Sequence, residues 1–91
     1  MNANINKQQA LQGRFTTMLT AVGAAEVHMA GDAVSPQQRA AAAWQLGRAR
    51  QVTEGYAALF GNFSERELIT VERNLDEAER CLATAEQVLG L

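Results

Sequence analysis

The chain has 91 residues, 47% of them hydrophobic and 20% charged, with seven Gly, one Pro and a net charge of −2. That balance describes one globular domain and excludes a disordered or fibrous chain, and the negative charge argues against binding nucleic acid by bulk attraction. A single cysteine, Cys81, excludes an intramolecular disulfide framework and a cysteine-based zinc cluster. A chain this short hides only about 60–65% of its unfolded surface, so self-association is expected.

The amino-terminal dozen residues are polar and rich in Asn and Gln, and the apolar stretch over 19–25 is broken by Thr20 and Gly23. It is too short for a signal core or a membrane span, and a cytoplasmic location is expected. Seven Arg against one Lys suggest a GC-rich bacterial coding background.

The first predicted helix covers residues 5–30. Its apolar row reads Leu11, Phe15, Met18, Val22, Ala25, Met29, spaced four and three. Gly13 and Gly23 lie inside it and point either to close helix approach or to modest stability. The second predicted helix covers 36–60. Ser35 at the cap and Pro36 at the first helical position mark its start, with Gln38 completing a capping box. Its row reads Ala42, Leu46, Ala49, Thr53, Tyr56, Phe60, Phe63, and it stops at Gly61-Asn62. Thr53 interrupts that row, and Gly47 and Gly55 weaken the helix.

The third predicted helix, 65–89, is the most regular. Its sequence reads ERELITV, ERNLDEA, ERCLATA, EQVLGL, with Glu opening each repeat and Leu always fourth. Leu68, Leu75, Leu82 and Leu89 alternate with Val71, Ala78 and Ala85, a heptad seam that implies left-handed supercoiled packing. Ser64 with Glu67 forms a capping box, and Phe63 with Leu68 fits a hydrophobic staple. The short links force neighbouring helices antiparallel. The expected fold is all-α: residues 1–91 form one domain of three antiparallel helices, an elongated bundle with coiled-coil-like packing.

Little in the chain can carry chemistry. His28 is the sole imidazole; with Asp32 it makes two ligands where zinc normally needs four. It sits in the last turn of its helix, where positive charge suits the helix dipole. Cys81 lacks a nearby base and reads as an edge-of-core residue. Glu72, Asp76, Glu79 and Glu86 lack the Glu-x-x-His pairs of a di-iron bundle, and Arg73–Glu77 and Asp76–Arg80 have the spacing of solvated helix pairs. No catalytic, cofactor-binding or metal site is expected.

Charge is unevenly spread: residues 1–63 carry +2 and residues 64–91 carry −4. The acidic row Glu65-Glu72-Glu79-Glu86 reads first as a flanking position that sets helix pairing, with Arg48 and Arg50 as candidate counter-charges, and second as a strip for a basic partner. Trp44, amid Ala40, Ala41, Ala43 and Gly47, points away from the core and fits an interface anchor, unless the register differs and it packs between helices. Arg48 lies one turn on.

The expected function is a non-enzymatic protein-interaction module that binds and inhibits or escorts another protein, acting as a homodimer. Small adaptors, chaperones, immunity proteins and phage-type inhibitors share this build, although fold does not give function. The expected interface residues are Trp44, Arg48, Arg50, Glu72, Glu79 and Glu86. The alternative is a dimeric regulator that meets nucleic acid through Arg39, Arg48 and Arg50.

Overall fold

A computed structural model of the protein describes residues 3–57 and 63–91. It contains α1 (Ala3–Met29), α2 (Pro36–Ala57) and α3 (Glu65–Leu89), with no strand among the described residues. The carboxyl end predicted for the second helix, including Phe60 and the Gly61-Asn62 stop, lies outside the described residues. The helices form a rod of 50 × 18 × 17 Å.

Cross-helix contacts fix the helix directions. Lys7 meets Glu72, Arg14 meets Glu79 and His28 meets Leu89, so α1 and α3 run parallel. Arg50 meets Glu26, and Arg39 meets the Met29 carbonyl, so α2 runs against α1. Arg48 meets Glu77, and Gln38 meets the Val88 carbonyl, so α2 runs against α3 as well. This is the up-down-up arrangement that the short links demand.

The core is the meeting of three apolar rows. In α3 all seven seam residues, Leu68, Val71, Leu75, Ala78, Leu82, Ala85 and Leu89, are buried. They meet Leu11, Phe15, Met18, Val22 and Ala25 of α1 and Ala42, Leu46 and Ala49 of α2. Each large side chain withdrawn from water contributes about 1.5–3 kcal/mol before entropy is charged against it. Thr53 completes the α2 row, fully buried, and its hydroxyl donates to the Ala49 and Arg50 carbonyls. The polar break in the row is thereby satisfied locally. Tyr56 stacks edge-on against Phe15 and Phe63, with centroids 6.0 and 5.9 Å apart, and its hydroxyl accepts from the Asn74 amide. One aromatic cluster therefore ties all three helices at this end.

The helix ends follow their sequence signals. The Glu67 amide donates to Ser64 Oγ at 3.2 Å, and the Ser64 amide donates to Glu67 Oε1 at 2.8 Å. The reciprocal pair at Ser35 and Gln38 measures 3.1 and 2.9 Å. Gly90 takes the left-handed conformation (φ +77°) that ends α3, and the Leu91 amide returns to the Glu86 carbonyl at 2.8 Å. The end of α1 has a cap that comes from outside it. The Arg39 guanidinium donates to the carbonyls of Met29, Gly31 and Val34. A Cβ at Gly13, Gly23, Gly47 or Gly55 would meet nothing within 4 Å. None of these glycines serves close helix approach within the bundle, and inside the fold they act by weakening their helices.

Two expectations follow for urea unfolding. Ser64→Ala removes the α3 cap and lowers stability by about 1 kcal/mol. Gly23→Ala raises it by about 0.5–1 kcal/mol. The Ser64 amide and hydroxyl hold the Glu67 carboxyl below its ordinary value. A depressed carboxyl stabilises the fold above its unfolded value, near pH 4.3, and that stabilisation is lost as pH falls through the lower folded value. Glu67→Gln keeps a hydrogen-bonding group at the cap and should flatten this part of the acid limb.

Candidate interaction surface

The heptad pattern of α3 sorts its charges by direction. With the Leu/Val/Ala seam inward, Glu72 and Glu79 flank the side facing α1, Glu77 lies on the side facing α2, and Arg66, Arg73 and Arg80 occupy the outer line opposite the seam.

On the α1 side, Arg14 gathers three carboxylates. Its guanidinium donates to Glu79 Oε1 at 2.6 Å and Asp76 Oδ1 at 2.8 Å, and lies 4.0 Å from Glu72. Lys7, one heptad earlier, stands 3.4 Å from Glu72. The bonds to Glu79, then Asp76, raise the Arg14 guanidinium further above its ordinary value, so it is cationic at every accessible pH. On the α2 side, Arg48 grips Glu77 at 3.0 and 2.8 Å through Nε and Nη2, and that bond raises the Arg48 guanidinium likewise.

These contacts correct the expected partners of the acidic row. Arg48 pairs with Glu77, which is not in the row, and Arg50 turns to Glu26 of α1 and Glu54 of its own helix. The counter-charges for Glu72 and Glu79 come from Lys7 and Arg14 instead. Parallel α1 places those two residues, seven apart, beside two glutamates that are also seven apart. That matched spacing was the signal in the sequence. Glu86, further along the row, is half-buried and has no ion pair among the described residues. Asp76 and Glu77 reach across to Arg14 and Arg48, in place of the in-helix pairs with Arg80 and Arg73 that their spacing suggests.

With those acids engaged, Arg66, Arg73 and Arg80 stand exposed, and none has an ion pair among the described residues. The outward side of α2 carries Trp44, 69% exposed. Ala40, Ala41, Ala43 and Gly47 around it are exposed too. Packing of Trp44 between helices is thus not what the fold does. A shallow hollow of about 330 Å³ lies beside the indole, lined by Ala43, Trp44, Gly47, Arg48 and Gln51. A second hollow, of about 460 Å³, runs between α1 and α3 past Ala10, Gly13, Arg14, Thr17 and Leu82.

The remaining reactive groups are embedded in the scaffold. His28 Nε2 lies 3.3 Å from the Leu89 carbonyl, which joins the ends of α1 and α3. Cys81 is half-buried against the core. No group of three metal-binding side chains occurs among the described residues, and no helix among them is long and apolar enough to cross a membrane. No protein-family model, curated protein or solved structure matches the chain.

Exposed ion pairs contribute fractions of a kcal/mol each. Arg14→Ala, which breaks a network of three, should cost about 1 kcal/mol in thermal unfolding at low salt. The deficit should shrink in about 1 M salt, where charges are screened within roughly 3 Å. Arg48→Ala, which loses one partner, should cost less than Arg14→Ala.

Proposed function

We propose that the chain is a non-enzymatic protein-interaction module that binds another protein, and so inhibits or escorts it, through the outer face of α2. One observation carries this reading: the chain's single Trp stands 69% exposed on a smooth surface of alanines and glycine. A large apolar ring left in water on a rigid helix, beside a hollow, has the character of an interface anchor. The reading gains support from what surrounds the other functional groups. His28 and Cys81 are tied to the bundle, and the charged network closes the helices onto one another.

The homodimer expected from the sequence belongs to the same proposal, with Trp44 of one copy meeting Trp44 of the other as the competing use of the face. Each chain closes its own apolar rows, so a second copy is not needed to complete the core. The reading through Arg39, Arg48 and Arg50 draws less support. Arg39 and Arg50 share the face turned towards α1, where Arg39 holds backbone carbonyls and Arg50 holds Glu26. Arg48 faces α3.

The test is capture from a lysate of the source cells at moderate salt, with Trp44→Ala alongside and circular dichroism to show retained helix. The expected result is a stoichiometric protein partner whose affinity falls about thirtyfold in the variant, the effect of a strong anchor residue. Capture that Trp44→Ala leaves unchanged would overturn the reading. Light scattering of the free protein completes it: the mass of two chains, reduced to one by Trp44→Ala, assigns the face to self-association.

A further inference from the structure

We propose that the Trp44 face extends across the Arg48–Glu77 bridge onto Arg73 and Arg80 of α3, and that this composite surface takes an acidic protein segment that presents an apolar side chain between carboxylates. The inference rests on the reading of Trp44 as a partner-binding anchor and names the chemistry of the partner.

Contiguity follows from the bridge. Trp44 and Arg48 lie one turn apart and line the same hollow. Arg48 Nη2 is bonded to Glu77 at 2.8 Å. Arg73 and Arg80 lie four residues before and three residues after Glu77, the two separations that make helix-surface neighbours. The indole, the bridge and the two arginines therefore form one strip that crosses from α2 to α3.

The charge of that strip opposes the charge of the chain. Arg48, Arg73 and Arg80 have two carboxylates beside them, Glu77 and Asp76, and Asp76 is bonded to Arg14, while the whole protein carries −2. The acids that α3 would offer Arg73 and Arg80 at helix spacing are already engaged, Asp76 by Arg14 and Glu77 by Arg48. Two guanidinium groups are left to donate outward, with their forked geometry suited to carboxylates. Their excess positive charge also works against pairing of this strip with its own copy. Beside them, Trp44 and the hollow over Gly47 offer an apolar seat, where an added Cβ meets nothing within 4 Å. Alanine methyl groups supply no donors for a phosphate backbone, and the net negative charge repels a long polyanion. A protein segment with carboxylates flanking an apolar side chain satisfies both halves of the strip.

Trp44 itself reports the test, because no other Trp contributes emission. The protein is titrated with a short amphipathic peptide of Glu and Leu, with the same peptide carrying Gln for Glu, and with oligothymidylate. The expected result is a saturable change in Trp44 emission with the Glu peptide, about tenfold weaker with the Gln peptide and weakened by salt. Arg73→Gln with Arg80→Gln should weaken the Glu peptide about fivefold. Gly47→Leu, which fills the hollow without touching the core, should abolish the response. Equal binding of the Glu and Gln peptides, no response to the Glu peptide, an unchanged double arginine variant, or a response to oligothymidylate alone would each overturn the inference. Lysate capture repeated with the double arginine variant separates the two readings: capture lost in Trp44→Ala but unchanged in the double arginine variant would overturn this inference and leave the anchor reading standing. Capture independent of Trp44 would overturn that reading as well.

Discussion

Seven residues of α3, from Leu68 to Leu89, are withdrawn from water along a single line, and that line places the rest of the molecule. α3 can bury such a row only if two other helices cover it from end to end. α1 and α2 do so with rows of the same spacing, and the short connection through Val34, itself buried, turns α2 back along the rod. The alternation of Leu with Val or Ala sets how closely the neighbours sit. The caps at Ser35 and Ser64 start the two following helices in register, so each row reaches the core with its apolar side inward.

Once the seam is closed, the charges of α3 have no freedom of direction. Glutamates beside the seam meet cations of the neighbouring helices, Lys7 and Arg14 on one side and Arg48 on the other. The arginine that follows the opening glutamate in three of the four repeats faces outward. The ion pairs are individually weak and partly exposed, so their weight lies in register more than in stability. Arg14, with three carboxylates in reach, resists a one-turn slide of α1 along α3. Arg48 and Arg50 hold α2 between its two neighbours. The outer surface is what this sorting leaves over: an indole among alanines, and an arginine line without acids.

Most of the fold was legible because heptad spacing encodes direction directly. Leu68 to Leu89, Leu11 to Ala25, and Ala42, Leu46 and Ala49 all lie where their spacing puts them. The capping residues Ser35, Gln38, Ser64 and Glu67 make the bonds their types allow. What escaped the sequence is what depends on which helix lies on which side. The acidic row announced a pairing position, and the short links already imply that α1 and α3 run parallel, but neither says which flank of α3 faces α1 and which faces α2. Arg48 and Arg50 looked like its counter-charges because α2 is the neighbour in sequence. Arg39 reads in the sequence as a nucleic-acid contact of the alternative regulator, yet it caps α1 through three carbonyls, a contact that exists only after the chain has turned. Gly13 and Gly23 carried two meanings, and only the open space around them separates close approach from simple loss of helix propensity. Trp44 was the ambiguous case: one register made it core, the other made it surface, and the depth of the Ala42 and Leu46 burial on its own helix decides it.

Closing the seam leaves Trp44 outside, on a free face. Its intrinsic fluorescence in the unliganded protein measures this most directly, with acrylamide quenching across a range of protein concentrations. Red-shifted emission, with quenching that approaches that of the unfolded chain as the protein is diluted, is the expected result. Blue-shifted, protected emission that persists on dilution would contradict it, since the ring would then lie inside the bundle and the outer face of α2 would carry no anchor.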